Sequence, residues 1–152
     1  MKNLPVTLWT AILVLGADLA SKAYIKAAIA PGDYFWVIPG VLRITDVRNP
    51  GGAFGILAND RWLFLGVGAL AAALILWYTR RVRQPATLVA LGLLLGGTLG
   101  NMVDRWQNGR VVDFLDFRVW PVFNLADVAV VGGIILLIWL TLAGKENWSG
   151  GG

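Results

Sequence analysis

Four apolar runs set the pattern of the chain, each close to the roughly 20 residues that carry an α-helix across a bilayer. The first is free of charge from residue 4 to 17 and keeps a helical pattern through Asp18, Ser21 and Lys22 to about residue 30. The others cover residues 62–78, 85–103 and 126–143. Pro85 suits the first turn of the third helix. Residues 91–100 (LGLLLGGTLG) would break a helix in water, but in lipid their glycines let neighbouring helices approach closely. With Lys2 ahead of it, the first run also has the outline of a cleavable leader, yet its pattern passes into a polar face instead of a cleavage site. The expected fold is an α-helical membrane protein of four transmembrane helices.

Between the first two spans, residues 31–61 alternate apolar and polar positions (YFWVI, then LRITDV) and are broken by Pro39-Gly40 and Pro50-Gly51-Gly52. This predicts a small β-rich segment of short strands and turns. The shorter connection between spans three and four holds another strand-like stretch, Arg110 to Phe117. With four spans, both connections lie on one side of the membrane, opposite the two termini and the loop at residues 80–84. Lys and Arg divide almost evenly between the sides, but Arg80, Arg81 and Arg83 pack three charges beside two helix ends, which marks that loop as cytoplasmic. Trp9, Trp77 and Trp139 then fall near the inner interface, and Trp36, Trp62, Trp106 and Trp120 near the outer one. The expectation is one integral-membrane domain over residues 1–143 and a polar, disordered tail over 144–152.

Composition sharpens this picture mainly by exclusion. The 152 residues are 57% hydrophobic and 14% charged, with mean hydropathy +0.67, whereas a soluble domain carries about 25% charged residues. The net charge of +4 comes from residues that punctuate apolar runs rather than forming a basic face, so nucleic acid is not an expected partner. Cys and His are absent, and Ser occurs only at positions 21 and 149. That removes thiol nucleophiles, His bases, Ser-His-Asp triads and the usual zinc sites. Neither a metal nor a cofactor is expected.

Ionisable groups in or beside spans are costly and are candidates for function. Asp18, Ser21 and Lys22 share one helix face at i, i+3 and i+4, either as an internal ion pair or as the lining of a cavity. Ser21 and Lys22 point about 100° apart, which argues against a Ser-Lys dyad. Asn101, Asp104 and Arg105 close the third span, where Arg105 complements the helix dipole. Asn124 reads as the N-cap of the fourth span, with Asp127 in its first turn. Asp113, fourteen residues upstream of Asp127, lies on the strand-like stretch that returns to where that span begins. Two carboxylates sharing one site do not both ionise readily, so one holds a proton while the other acts as base. Asp127, at a helix N-terminus, is the readier anion; apolar neighbours should raise the pKa of Asp113. Paired structural acids are the alternative.

Five motifs, in order, resemble those of the lipoprotein signal peptidase (signal peptidase II) family: Asp18-Leu19-Ala20-Ser21-Lys22; Arg48-Asn49-Pro50-Gly51-Gly52-Ala53-Phe54; Gly96 through Arg105 (GGTLGNMVDR); Val111-Val112-Asp113-Phe114; and Phe123-Asn124-Leu125-Ala126-Asp127. The resemblance implies a monomeric aspartic endopeptidase of the bacterial inner membrane, multi-pass, with cytoplasmic termini and an outward-facing site. It would cut diacylglyceryl-modified prolipoproteins just before the lipidated cysteine. It implies Asp113 and Asp127 as the catalytic pair. Asn49, Gly52, Asn101, Arg105 and Asn124 would surround the substrate, Asp18 and Lys22 would form the polar face of the first helix, and Asp104 would be a supporting acid. The chain departs from the family at Leu19, where Gln is frequent, at Pro50-Gly51-Gly52-Ala53, where Thr-Gly-Ala-Ala is frequent, and in a short connection from Asp113 to Asp127. A small ion-coupled transporter and a non-catalytic membrane adaptor are the competing readings.

Overall fold

The computed structural model describes residues 4–51 and 60–144. Gly52, Ala53 and Phe54, and residues 145–152 of the tail expected to be disordered, lie outside the described residues. Four helices are long and apolar enough to cross a membrane: α1 (Leu4–Ala28), α2 (Arg61–Thr79), α3 (Pro85–Asn108) and α4 (Leu125–Leu142). Strands β1 (Tyr34–Ile38) and β2 (Leu42–Asn49) follow α1, and β3 (Val111–Asp116) lies between α3 and α4. The helix starts have ordinary causes. Asp60 caps α2 by accepting from the Leu63 N–H at 3.0 Å, and Pro85 occupies the first turn of α3.

The three strands form one antiparallel sheet in the order β1-β2-β3. The strand-like stretch between the last two spans is therefore the third member of the sheet that begins after α1. β3 is the edge strand that lies against the helices, with Val112 and Phe114 packed against Ile25 and Ile29 at the end of α1. β1 is the outer edge, and every residue in it is exposed. Arg43 of β2 is ion-paired through Nε to Asp116 opposite it in β3 at 2.5 Å, and its guanidinium lies over the Tyr34 ring.

α3 continues past the apolar run that ends at Val103, through Asn108, before Gly109 turns the chain at φ +69°. Asp104 is buried there and Asn101 and Arg105 are half-buried, while Trp106, Gln107 and Asn108 at the end are exposed. α3 is also the central helix, packed against the other three, and its glycines explain how. A Cβ on Gly96 would stand 2.7 Å from the Ala11 carbonyl oxygen of α1, and one on Gly97 would collide with the Ala126 carbonyl oxygen of α4. In lipid, packing of this kind replaces the hydrophobic drive that holds soluble helices together.

These contacts carry a prediction. Gly96→Val forces α1 and α3 apart and is expected to destabilise the protein by about 1–3 kcal/mol. Gly132→Val, on α4 where a Cβ would meet nothing within 4 Å, should leave the thermal midpoint in detergent unchanged. Equal midpoints for the two variants would remove the packing role given to Gly96.

Candidate active site

Asp113 and Asp127 are brought to one place by a short return of the chain. β3 runs outward through Asp113, and a loop carries the chain back to Phe123, which bridges to Leu115 of β3. Asn124, the next residue, is then already beside Asp113. It caps α4 in a reciprocal box: its Oδ1 accepts the Asp127 N–H at 2.9 Å, and Asp127 Oδ2 accepts the Asn124 N–H at 3.2 Å. The short Asp113-to-Asp127 connection thus suffices, because the bridge closes it within one strand width.

Amide donors surround both carboxylates. Asn124 Nδ2 donates to Asp113 Oδ1 at 2.7 Å and to Asn101 Oδ1 at 3.1 Å, while Asn101 Nδ2 donates to Asp127 Oδ1 at 2.8 Å. Two side-chain amides therefore link the acids. Asn49 Nδ2 donates to the other oxygen of Asp113 at 2.9 Å. It reaches there because Asn49 pairs with Val111, so that Asp113 lies two residues further along the same face of β3. The Asn49 Oδ1 accepts from the Gly51 N–H at 2.9 Å, which fixes the orientation of that amide.

Asp113 is 2% exposed. Burial pushes its pKa up to about 6, and the charge of Asp127 adds to the rise, while hydrogen bonds from Asn49 and Asn124 restrain it. Asp127 is half-buried and faces the open side of the site. It sits in the first turn of α4, where the helix end favours negative charge.

Behind the pair lies a second layer of charge. Lys22 Nζ is ion-paired to Asp18 at 2.7 Å and to Asp104 at 3.0 Å, and donates to Asn101 Oδ1 at 3.1 Å. All three ionised side chains are buried. Asp18 and Lys22 therefore form an internal ion pair instead of lining a cavity, and Ser21 Oγ donates to the Asp18 carbonyl at 2.8 Å. The two acids also hold the backbone. Asp18 Oδ1 accepts the Ala126 N–H at 2.9 Å, and Asp104 Oδ2 accepts the Val112 N–H at 3.1 Å. Ala126 and Val112 immediately precede Asp127 and Asp113. Because Lys22 can only donate, it turns the Asn101 oxygen towards itself and leaves the Asn101 N–H groups for Asp127.

Arg105 is half-buried, with its guanidinium over the Phe64 ring at 4.7 Å and Nη1 3.5 Å from the Asn101 carbonyl oxygen. Its Nε–H has no acceptor among the described residues. It shares with Asn101, Thr98 and Asp127 the wall of a cleft of about 250 Å³ between α2 and α4. Of the residues expected at the site, Asp113, Asp127, Asn49, Asn101 and Asn124 are directly bonded in one network. Asp18, Lys22 and Asp104 adjoin it from behind, Arg105 faces it across the cleft, and Gly52 lies outside the described residues. The sequence reading missed Phe117, Trp120 and Phe123, which wall a second cleft reaching Asp127 from the far side of α4. Aromatic residues near an interface gave no sign of that arrangement. Among the described residues, no group of His, Cys, Asp or Glu is disposed to hold a metal ion.

Comparison with known proteins gives the family and the fold. The family described as signal peptidase (SPase) II matches residues 10–143. A lipoprotein signal peptidase of Moorella thermoacetica is 47% identical over 141 residues, covering 90% of this chain and 94% of its own. One from Pelotomaculum thermopropionicum is 45% identical over 139 residues, covering 90% and 91%. A bacterial membrane enzyme solved by the in meso method at 2.3 Å resolution superposes with TM-score 0.84 at 34% identity, covering 93% of this chain and 90% of that one.

Proposed function

Because this chain belongs to the signal peptidase II family and so removes signal peptides from prolipoproteins, we propose that it does so as an aspartic endopeptidase whose catalytic residues are Asp113 and Asp127. The observation that carries this reading is the linkage of the two carboxylates through Asn101 and Asn124 at the mouth of a cleft. Asp127 carries the negative charge and takes a proton from water. The water attacks the carbonyl of the residue preceding the lipid-modified cysteine. Asp113, holding a proton because it is buried, polarises that carbonyl, and the proton passes to the departing amine as the peptide bond breaks. The guanidinium of Arg105, on the wall of the cleft between α2 and α4, would hold a backbone carbonyl of the bound peptide. The dense Arg80–Arg83 loop lies at the opposite end of the bundle, which supports cytoplasmic termini and an outward-facing site in the bacterial inner membrane.

The decisive assay follows signal-peptide release by purified protein in detergent from a prolipoprotein carrying diacylglycerol on its cysteine. Release should proceed undiminished in excess chelator. Absence of release, or release abolished by chelator, would defeat the aspartyl reading.

The pH dependence has a definite sign. Asp113 must be protonated to polarise the carbonyl, and its pKa is about 6. The kcat/KM should therefore fall as pH rises through this value, with the apparent constant belonging to the coupled pair. A kcat/KM that instead increases through pH 6 would give Asp113 the role of base.

A further inference from the structure

Two clefts meet at Asp127, one on each flank of α4. The first lies between α2 and α4, with Gly68 and Ala71 on the α2 wall and Thr98, Asn101 and Arg105 on the α3 floor. The second, of about 580 Å³, is roofed by Phe117, Trp120 and Phe123 and floored by Val131, Gly132 and Ile135 of α4. The rings of Phe117 and Phe123 stack at 5.9 Å. Asp127 is the one charged side chain lining this second cleft among the described residues, and the indole N–H of Trp120 is the other polar side-chain group there.

We propose that α4 divides the substrate. The acyl chains on the mature side of the scissile bond lie in the aromatic-roofed groove, and the signal peptide lies in the cleft between α2 and α4. This rests on the peptidase reading above and adds a lipid-binding groove to it. The scissile bond must sit at Asp127, and both parts of a lipoprotein precursor attached to it are apolar and lead back into the membrane. Their needs differ. A peptide segment leaving the site brings backbone N–H and C=O groups, which are costly to leave unpaired away from water. The α2–α4 cleft answers this with Thr98, Asn101 and Arg105, and the small side chain of Ala71 on its α2 wall allows a helix to approach closely. The roofed groove offers only the Trp120 indole N–H as a side-chain donor, and acyl chains require none. Because lipid tails gain little on moving from bilayer to an apolar protein wall, the groove acts by placing the lipid, and so the adjoining carbonyl, rather than by tight binding.

The test uses precursor peptides with one signal sequence and either palmitoyl or acetyl groups on the glyceryl moiety. Gly132→Phe is suited to blocking the groove, since a Cβ there meets open space; Val131→Trp, at a half-exposed position, blocks it independently. Both should lower kcat/KM on the dipalmitoyl substrate about tenfold and leave the diacetyl substrate unaffected, as expected for steric exclusion from a pocket. Ala71→Phe should lower both substrates alike. Equal losses on both substrates with Gly132→Phe and Val131→Trp, no loss with either, or chain-length dependence appearing with Ala71→Phe instead would overturn the assignment. Failure of the unsubstituted enzyme to cut either substrate would overturn the peptidase reading itself.

Discussion

Asp127→Asn and Asp113→Asn are each expected to reduce signal-peptide release by about a thousandfold, the scale of a lost general acid or base. The double variant should be little worse than either single one, because residues acting as a unit do not contribute additively. Asp113→Asn should have a second effect of opposite sign. The folded protein holds this carboxyl at about 6, against an ordinary 3.8. Ionising it in the fold therefore costs stability, absent below the ordinary value and fully present once pH has risen past 6. The cost is about 3 kcal/mol. Asparagine relieves it but turns one N–H towards a donor, Asn49 or Asn124, and so gives back about 1 kcal/mol. The inactive variant should thus melt above the wild type at pH 8 and lose that advantage by pH 4. Melting curves in detergent at the two pH values check the sign. A variant that is both active and unshifted would remove Asp113 from the site.

The spans were legible because length and apolarity alone define them; the site was legible only in part. The Asn124–Asp127 pair could be read as a cap because capping is a local pattern, and it is a cap. That the same Asp127 also receives the Asn101 amide depends on where α3 crosses α4, which no local pattern encodes. Lys22 likewise meets Asp104 only through the glycine-mediated approach of α1 to α3, and so the polar face of α1 allowed both an ion pair and a cavity lining. The apolar run stops at Val103, while α3 continues to Asn108 on residues of which Asp104 is buried and Trp106, Gln107 and Asn108 are exposed, so apolarity alone did not mark the helix end. The pairing of buried Asp46 with half-buried Arg48 in β2, at 2.6 Å, gave no signal beyond alternation within a strand. The competing transporter reading needed ionisable groups through the full depth of the bundle. Among the described residues, the buried charged side chains gather instead around β3 and the start of α4.

Lys22→Met should be the most destabilising single change in the molecule. It leaves Asp18 and Asp104, each about 1% exposed or less, without their cation, which costs about 3–5 kcal/mol. That is a large share of the 5–15 kcal/mol by which proteins are commonly stable. If the triad were simply a neutralised charge cluster, the triple variant Asp18→Leu, Lys22→Met, Asp104→Leu would recover wild-type stability, since buried ion pairs are often replaceable by apolar groups. Here it should recover only in part. The N–H groups of Ala126 and Val112 lose their acceptors in the triple variant, and each buried donor left unpaired costs about 1–3 kcal/mol. The same two N–H groups fix the backbone next to Asp127 and Asp113, so activity measured well below the melting temperature should fall as well. Thermal midpoints of the single and triple variants, paired with release assays in the cold, separate the possibilities. A triple variant equal to wild type in both would reduce the triad to charge neutralisation. One that is stable but slow would show that Asp18 and Asp104 work by holding the strand and the helix that present the two acids.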